Sequence, residues 1–435
     1  MSMTNAITVQ RALLSRFGHA SAHEAEKVLF ASGNGVDQSA FSKALHDSKV
    51  RRERPRSLQI SLPFCPVRCL NCDSNTVITH DPKQIDRYID SLEDEVELLV
   101  ETLGFKPRLQ ELHLTGGTPN YLDDRQLVRL MGIIDDNFGL DQDTEQSLHA
   151  NPKRTSQSQL TLLHGLGFDR IAFGVRDLDP AVQLAIGRTV SVDMIRGIFE
   201  DAREIGFKNI GTDLLYGLPC QTTDGIKRTV DTLTSLAPDR IDCFAFSRHA
   251  SSRAHQSALD HCAMPSLADK MALFNAVVEG LCEDYEWIGL DSFARQDDEL
   301  TLAQAEGRLY RSWTGYSHLP NVETHGLGTS AISDLDDICV QNHTTLDQWK
   351  TSLQHDEFPV QGGTLFDSTQ RAQRDAIRTL MCNMELHDYA SLFDNEQWTD
   401  VSLERFRSEG IFEIDHGVMR VTDEGRYVLP HLLAS

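Results

Sequence analysis

Across its central half the chain alternates short apolar runs with longer amphipathic stretches. Runs at 58–62, 109–114, 146–150, 170–175, 209–216 and 240–246 have the length and apolar content of buried strands. The stretches between them, 85–103, 124–137, 156–166, 191–206 and 223–236, place apolar residues at helical spacing. Strand followed by helix, repeated in this way, predicts parallel strands joined by right-handed crossovers. Six such strands curl into a partial (β/α)6 barrel, an α/β fold in which the loops leaving the strands share one end and carry the chemistry.

The flanks lack this alternation. Residues 1–55 are mostly polar with helical character, and are expected to form an N-terminal arm packed on a barrel spanning 56–300. In 301–435, helical patterns at 368–383 and 402–409 lead into 411–421, which reads as a hairpin turning at His416-Gly417. That order predicts a mainly helical, winged-helix-like C-terminal domain, suited either to DNA or to covering a substrate. Charge bears on the choice. With 41 Lys and Arg against 65 Asp and Glu, the net charge of −24 argues against a nucleic-acid partner and favours a lid or packing domain. One basic concentration stands out, Lys49-Val50-Arg51-Arg52-Glu53-Arg54-Pro55-Arg56, which is either a solvated linker or a local grip on an anion. No apolar run reaches the length of a membrane span, and Met1 to Leu13 holds no basic region leading into an apolar core. A cytoplasmic protein is expected.

Nine cysteines would suit a disulfide framework only if they paired, but six are scattered while Cys65, Cys69 and Cys72 stand together in the loop after the first strand. Three thiolates so spaced suit three irons of a [4Fe–4S] cube, with the fourth iron left open for an exogenous ligand. A zinc knuckle would need a fourth ligand, and His80 is the one nearby candidate. Thr115-Gly116-Gly117-Thr118-Pro119 follows the second strand, and its glycines would let backbone groups approach a ligand closely. Asp213, inside an apolar strand, either caps a neighbouring loop or holds a cofactor hydroxyl. Arg188 either pairs with a cofactor carboxylate or forms a surface ion pair. After the sixth strand, Arg248, His249, Arg253 and His255 are candidate anion contacts or a solvated loop.

These motifs together resemble the oxygen-independent coproporphyrinogen III oxidases, a family of radical S-adenosylmethionine (SAM) enzymes. The likeness rests on Pro63-Phe64-Cys65 with Cys69 and Cys72, on Gly116-Gly117-Thr118-Pro119, and on Asp213-Leu214-Leu215-Tyr216-Gly217-Leu218-Pro219. It continues in Ile288-Gly289-Leu290-Asp291 and Gly328-Thr329-Ser330-Ala331-Ile332-Ser333. The resemblance implies a [4Fe–4S] cluster on Cys65, Cys69 and Cys72, a SAM touched by Gly116, Gly117, Thr118, Arg188 and Asp213, and a second SAM near Ile332. It implies oxidative decarboxylation of two propionates of coproporphyrinogen III to the vinyl groups of protoporphyrinogen IX in heme biosynthesis. It further implies a monomer served by an electron donor such as a flavodoxin or ferredoxin. At two positions that contact SAM in the family this chain differs: His149 replaces a glutamate and Arg176 a glutamine. Gln59, Ser61, Ser74 and Thr314 also depart from the family pattern. A diverged paralog is the alternative, either a radical SAM enzyme on another tetrapyrrole-like substrate or a non-catalytic heme-binding or chaperone protein.

Overall fold

The structure, a computed structural model, describes residues 35–249, 253–387, 389 and 400–434. Six strands form its centre: β1 (Arg56–Leu62), β2 (Glu111–Gly116), β3 (Glu145–Ala150), β4 (Arg170–Arg176), β5 (Asn209–Tyr216) and β6 (Arg240–Ala245). They pair in chain order and all in parallel, with crossover helices that include Pro82–Leu103, Asp124–Asn137, Gln157–Gly165, Val192–Ile205 and Thr223–Leu236. β1 and β5 are buried along their whole length, as strands covered on both faces must be. Helix starts are set by side-chain caps from Asp81, Asp123, Ser156, Ser191 and Thr222.

The sheet does not stop where the alternation does. β7 (Glu286–Ile288) and β8 (Ser292–Ala294) extend it beyond β6, and β9 (Glu323–Leu327) lies parallel to β1 at the other edge. β10 (Ile332–Asp334), β11 (Ile338–Asn342) and β12 (Val360–Leu365) follow antiparallel, giving twelve strands in the order β12-β11-β10-β9-β1-β2-β3-β4-β5-β6-β8-β7. The strands between 323 and 365 thus continue the barrel's sheet past residue 300, while Tyr310–Ser312 and Gly315–Ser317 pair separately. Residues 366–434 carry the expected helices, Ser368–Asn383 and Asp400–Ser408, and a three-stranded sheet whose hairpin turns at His416-Gly417. Both turn residues have positive φ, 49° and 82°, as a tight hairpin requires. Arg426 ties this region to the barrel edge, donating to the Gly289 and Trp287 carbonyls with its guanidinium 3.9 Å from the Trp287 ring centre.

The basic stretch is neither a free linker nor an anion grip. Arg56 is 2% exposed and donates to the carbonyls of Ser48, Arg51, Arg52 and Arg54. Beside it, Glu323 on β9 accepts from Ser48 Oγ at 2.8 Å and Arg51 Nε at 2.9 Å. These bonds to a buried carboxylate pin the described part of the arm to the barrel. The helix Gln38–Ser48 adds apolar contact, with Phe41 edge-on to Phe358 at 5.1 Å.

His325 on β9 is buried, and neither ring nitrogen has a hydrogen-bond partner. Burial, with the Arg56 charge adding to it, pushes the imidazole down to about 3. The unfolded chain takes up this proton near its ordinary value of about 6.5. The stabilising contribution is therefore complete above that pH and is lost as pH falls through the window, at up to about 1.4 kcal/mol per pH unit. His325→Phe removes the linkage. Urea unfolding at pH 7 and pH 5 should show the variant losing less stability than the wild type over that interval, and equal losses would contradict the assignment.

Candidate cofactor site

A cavity of about 890 Å³ opens among the loops that leave the barrel strands. Ten of the site residues read from sequence line it: Cys65, Cys69, Cys72, Gly116, Gly117, Thr118, His149, Arg176, Arg188 and Asp213. Ile332 does not. It is 6% exposed and packs in the apolar cluster of the C-terminal region, while its neighbours Ser330 and Ala331 reach the cavity wall.

The cysteine loop is held from several sides. Leu70 N donates to Ile186 O at 3.0 Å, and Arg188 Nη1 lies 3.6 Å from Cys69 Sγ while its Nη2 donates to Gly174 O at 2.6 Å. Arg188 is thus neither a surface ion pair nor at present matched to a carboxylate. Cys65 Sγ lies 3.1 Å from Thr118 Oγ1, and burial pushes that thiol up to about 11. Gly117 N donates to Leu62 O at 2.7 Å. A Cβ on Gly117 would fall 2.6 Å from Pro63 O, and one on Gly116, whose φ is +107°, 2.7 Å from Leu62 N. The close approach expected of the two glycines is therefore made first to the backbone of the cysteine loop.

The residues present fit the cluster better than a single ion. All nine cysteines are free thiols. Among the described residues, the only trio of candidate ligand atoms gathered within 4.8 Å of one another is Glu145, Glu299 and His318 at the opposite end of the barrel, where Arg170 bridges both carboxylates. The three cysteine sulfurs do not all lie within 4.8 Å of one another, whereas sulfurs around one tetrahedral zinc stand roughly 3.8 Å apart. His80 is exposed and off the cavity wall. Two wall atoms, Asp213 Oδ1 and Arg188 Nε, are buried without a hydrogen-bond partner, which suits a zwitterionic occupant such as SAM.

The two departures from the family pattern meet on one atom. Asp213 Oδ2 is 2.7 Å from His149 Nε2 and accepts from Arg176 Nη1 at 2.6 Å. Burial opposes ionisation of Asp213, but Arg176, His149 and Arg188 outweigh it and hold the carboxyl below its usual range. Arg176 reaches this position from a bulge in β4 with φ +74°, a conformation costly for a side-chain-bearing residue. Asp213 is thus the partner of a charge cluster rather than a loop cap. Deeper in the cavity lies Asp242, missed in the sequence although it interrupts an apolar strand just as Asp213 does. Burial pushes Asp242 up to about 6 against a 2.5 Å hydrogen bond from Ser292 Oγ, and the nearby Asp291 adds to the rise.

Reconstituted wild-type protein should hold about four irons per chain, and Cys65→Ala, Cys69→Ala and Cys72→Ala should each lose most of it. Gly117→Ala should behave like a cysteine variant, because its methyl has no room. Gly132→Ala, where a Cβ meets nothing within 4 Å, should not. Iron analysis reads all five, and full iron in Gly117→Ala would refute the contact between the loops.

Comparison with known proteins agrees with this geometry. Residues 60–233 match the radical SAM superfamily. The oxygen-independent coproporphyrinogen III oxidase of Pseudomonas aeruginosa is 34% identical over 399 residues, covering 89% of this chain and 86% of that one. The Escherichia coli enzyme of the same name is 32% identical over 391 residues, covering 87% and 85%. The solved structure of the Escherichia coli coproporphyrinogen III oxidase, described as a radical SAM enzyme, superposes with a TM-score of 0.87 at 30% identity over 93% of this chain and 94% of that one. With its cysteine loop, its glycine loop and its C-terminal region all within the match, the chain belongs to the oxygen-independent coproporphyrinogen III oxidase family of radical SAM enzymes.

Proposed function

We propose that this protein converts coproporphyrinogen III to protoporphyrinogen IX without oxygen, by oxidative decarboxylation of two propionate side chains. The observation that carries this reading is the sign of the cavity. Its wall holds eight arginines against six carboxylates, in a chain where acids outnumber bases 65 to 41. A tetrapyrrole with four carboxylates is the kind of substrate such a local excess attracts. The [4Fe–4S] cluster with SAM supplies, when bound, an electron and a carbon-centred radical able to remove a propionate hydrogen. Cys65, Cys69 and Cys72 would hold three irons and leave the fourth open. Gly116, Gly117 and Thr118 shape the wall beside them, and Asp213, Arg188, His149 and Arg176 would contact SAM. Ser330 and Ala331, beside Ile332, would border a second SAM. Phe244, Phe246, Phe274, Trp313 and Tyr427 line the cavity and limit water around the reacting carbons. Turnover needs a one-electron donor such as a flavodoxin or ferredoxin. No helix among the described residues is long and apolar enough to cross a membrane.

The engagement of Asp213 by both His149 and Arg176 favours a second reading, in which the same cofactors act on another tetrapyrrole-like substrate. Reduced protein incubated with SAM, with and without coproporphyrinogen III, separates the two. The first reading requires protoporphyrinogen to form with about two 5′-deoxyadenosine per product, one for each decarboxylation. Deoxyadenosine without porphyrin product would move the assignment to the second. Heme binding without SAM cleavage would point to the non-catalytic alternative.

His149→Glu with Arg176→Gln replaces both groups that hold Asp213 Oδ2. Misplacing one unit of charge beside SAM readily exceeds about 1.4 kcal/mol. Calorimetric SAM affinity should therefore change more than tenfold, and an unchanged affinity would place both side chains outside the cofactor's reach.

A further inference from the structure

The segment after β6 was a candidate grip on substrate carboxylates. In the structure it turns instead onto the cysteine loop. Gln256 is fully buried, and its amide is committed at both ends: Oε1 accepts from His249 N at 2.6 Å, and Nε2 donates to Cys72 O at 3.1 Å. The orientation is not ambiguous, since a backbone N–H can only donate and a carbonyl can only accept. His255 Nε2 reaches the same Cys72 carbonyl at 2.7 Å, so that nitrogen carries the hydrogen. Arg253 Nε donates to the next carbonyl, Asp73 O, at 2.7 Å. Three donors from four consecutive residues thus converge on the two peptide oxygens that follow the third cysteine.

These donors are also held by contacts other than those to Cys72 and Asp73. Arg253 N donates to His249 O at 2.7 Å and Gln256 N to Arg253 O at 2.9 Å, closing the segment on itself. Leu259 is fully buried in a satellite apolar cluster with Val182, Ile186, Leu218 and Phe246, and Leu70 of the cysteine loop packs on that cluster. Leu70, one residue after Cys69, and Cys72, three after it, are therefore fixed by different contacts.

We infer that Gln256, seconded by His255 and Arg253, is a positioning device for the cluster: it fixes the Cys72 peptide so that the third thiolate stays aimed at its iron. Two consequences follow from ordinary physical chemistry. Without the donors, the Cys72 carbonyl is left unpaired in a partly buried place and the loop turns to satisfy it, loosening one of only three protein bonds to the cluster. A loosened loop also changes the hydrogen bonding and solvent exposure of the sulfurs, and both set the reduction potential.

Gln256→Leu, which keeps size and loses both hydrogen bonds, and His255→Phe, at a half-exposed position with little risk to folding, test this in reconstituted full-length protein. Thermal unfolding of the iron-free variants controls for loss of fold. Both variants should surrender iron to a ferrous chelator about fivefold faster than wild type, the weight of one ordinary hydrogen bond. Both should also show a shifted midpoint potential and an altered electron paramagnetic resonance signal after reduction. Arg196→Ala, an exposed ion pair on the helix Val192–Ile205, should match wild type. If Gln256→Leu does not fold, His255→Phe alone decides. Folded variants with wild-type iron release and wild-type potential would overturn the inference. None of these readouts depends on the identity of the substrate.

Discussion

Two loops leave adjacent parallel strands and meet with no side chain between them. The peptide of Gly117 lies against Leu62 and Pro63 so closely that even a methyl group collides, and from this contact the cysteine loop takes its direction into the cavity. The pairing of β1 with β2 brings Leu62 opposite Gly116, so strand register alone delivers the two loops to the same height. Everything the site does depends on that register. A one-residue slip would turn every alternate side chain to the opposite face and withdraw the thiols from the cavity.

Around this contact the fold pays for a set of buried charges by making them serve one another. Asp213 alone would be expensive in the middle of β5, and Arg176 is held in a backbone conformation few side chains tolerate. Each is stabilised by the other, with His149 as a third member. A cluster of this kind is rigid while complete and costly when one partner is removed. It therefore favours a fixed electrostatic setting for the polar end of a cofactor over an adaptable one. Asp242, on the neighbouring strand and in register with Asp213, is pushed up by burial and by the nearby Asp291 and Asp213, and the Ser292 hydroxyl and the Arg240 charge offset this less than the cations offset the burial of Asp213.

The barrel was legible because its strands are apolar on both faces and its helices amphipathic, so period and composition agree. β9 was not. Glu323-Thr324-His325-Gly326-Leu327 is polar by composition yet wholly buried, because its carboxylate is satisfied by Ser48, Arg51 and Arg56, more than 260 residues earlier in the chain. No local pattern signals a strand whose burial is permitted by partners that distant. β10 and β8, three residues each, are too short to show a period at all.

Site residues divide along the same line. The cysteines and glycines were readable because their spacing constrains geometry within a few residues. For arginines and histidines, spacing says only that a donor exists, not what it faces. Arg188, read as the partner of a cofactor carboxylate or as a surface ion pair, lies between a carbonyl and a thiol; Arg253 and His255, read as anion contacts or as part of a solvated loop, meet the cysteine loop. The cationic excess of the cavity is accordingly part scaffold and part recognition. Arg311, in a bidentate pair with Asp291 at 2.7 and 3.4 Å, is committed to the wall. A neutralised pair of this kind adds no net charge, so the attraction for an anionic substrate rests on the wall arginines left over from such pairs, and a field of that kind selects for charge before it selects for shape.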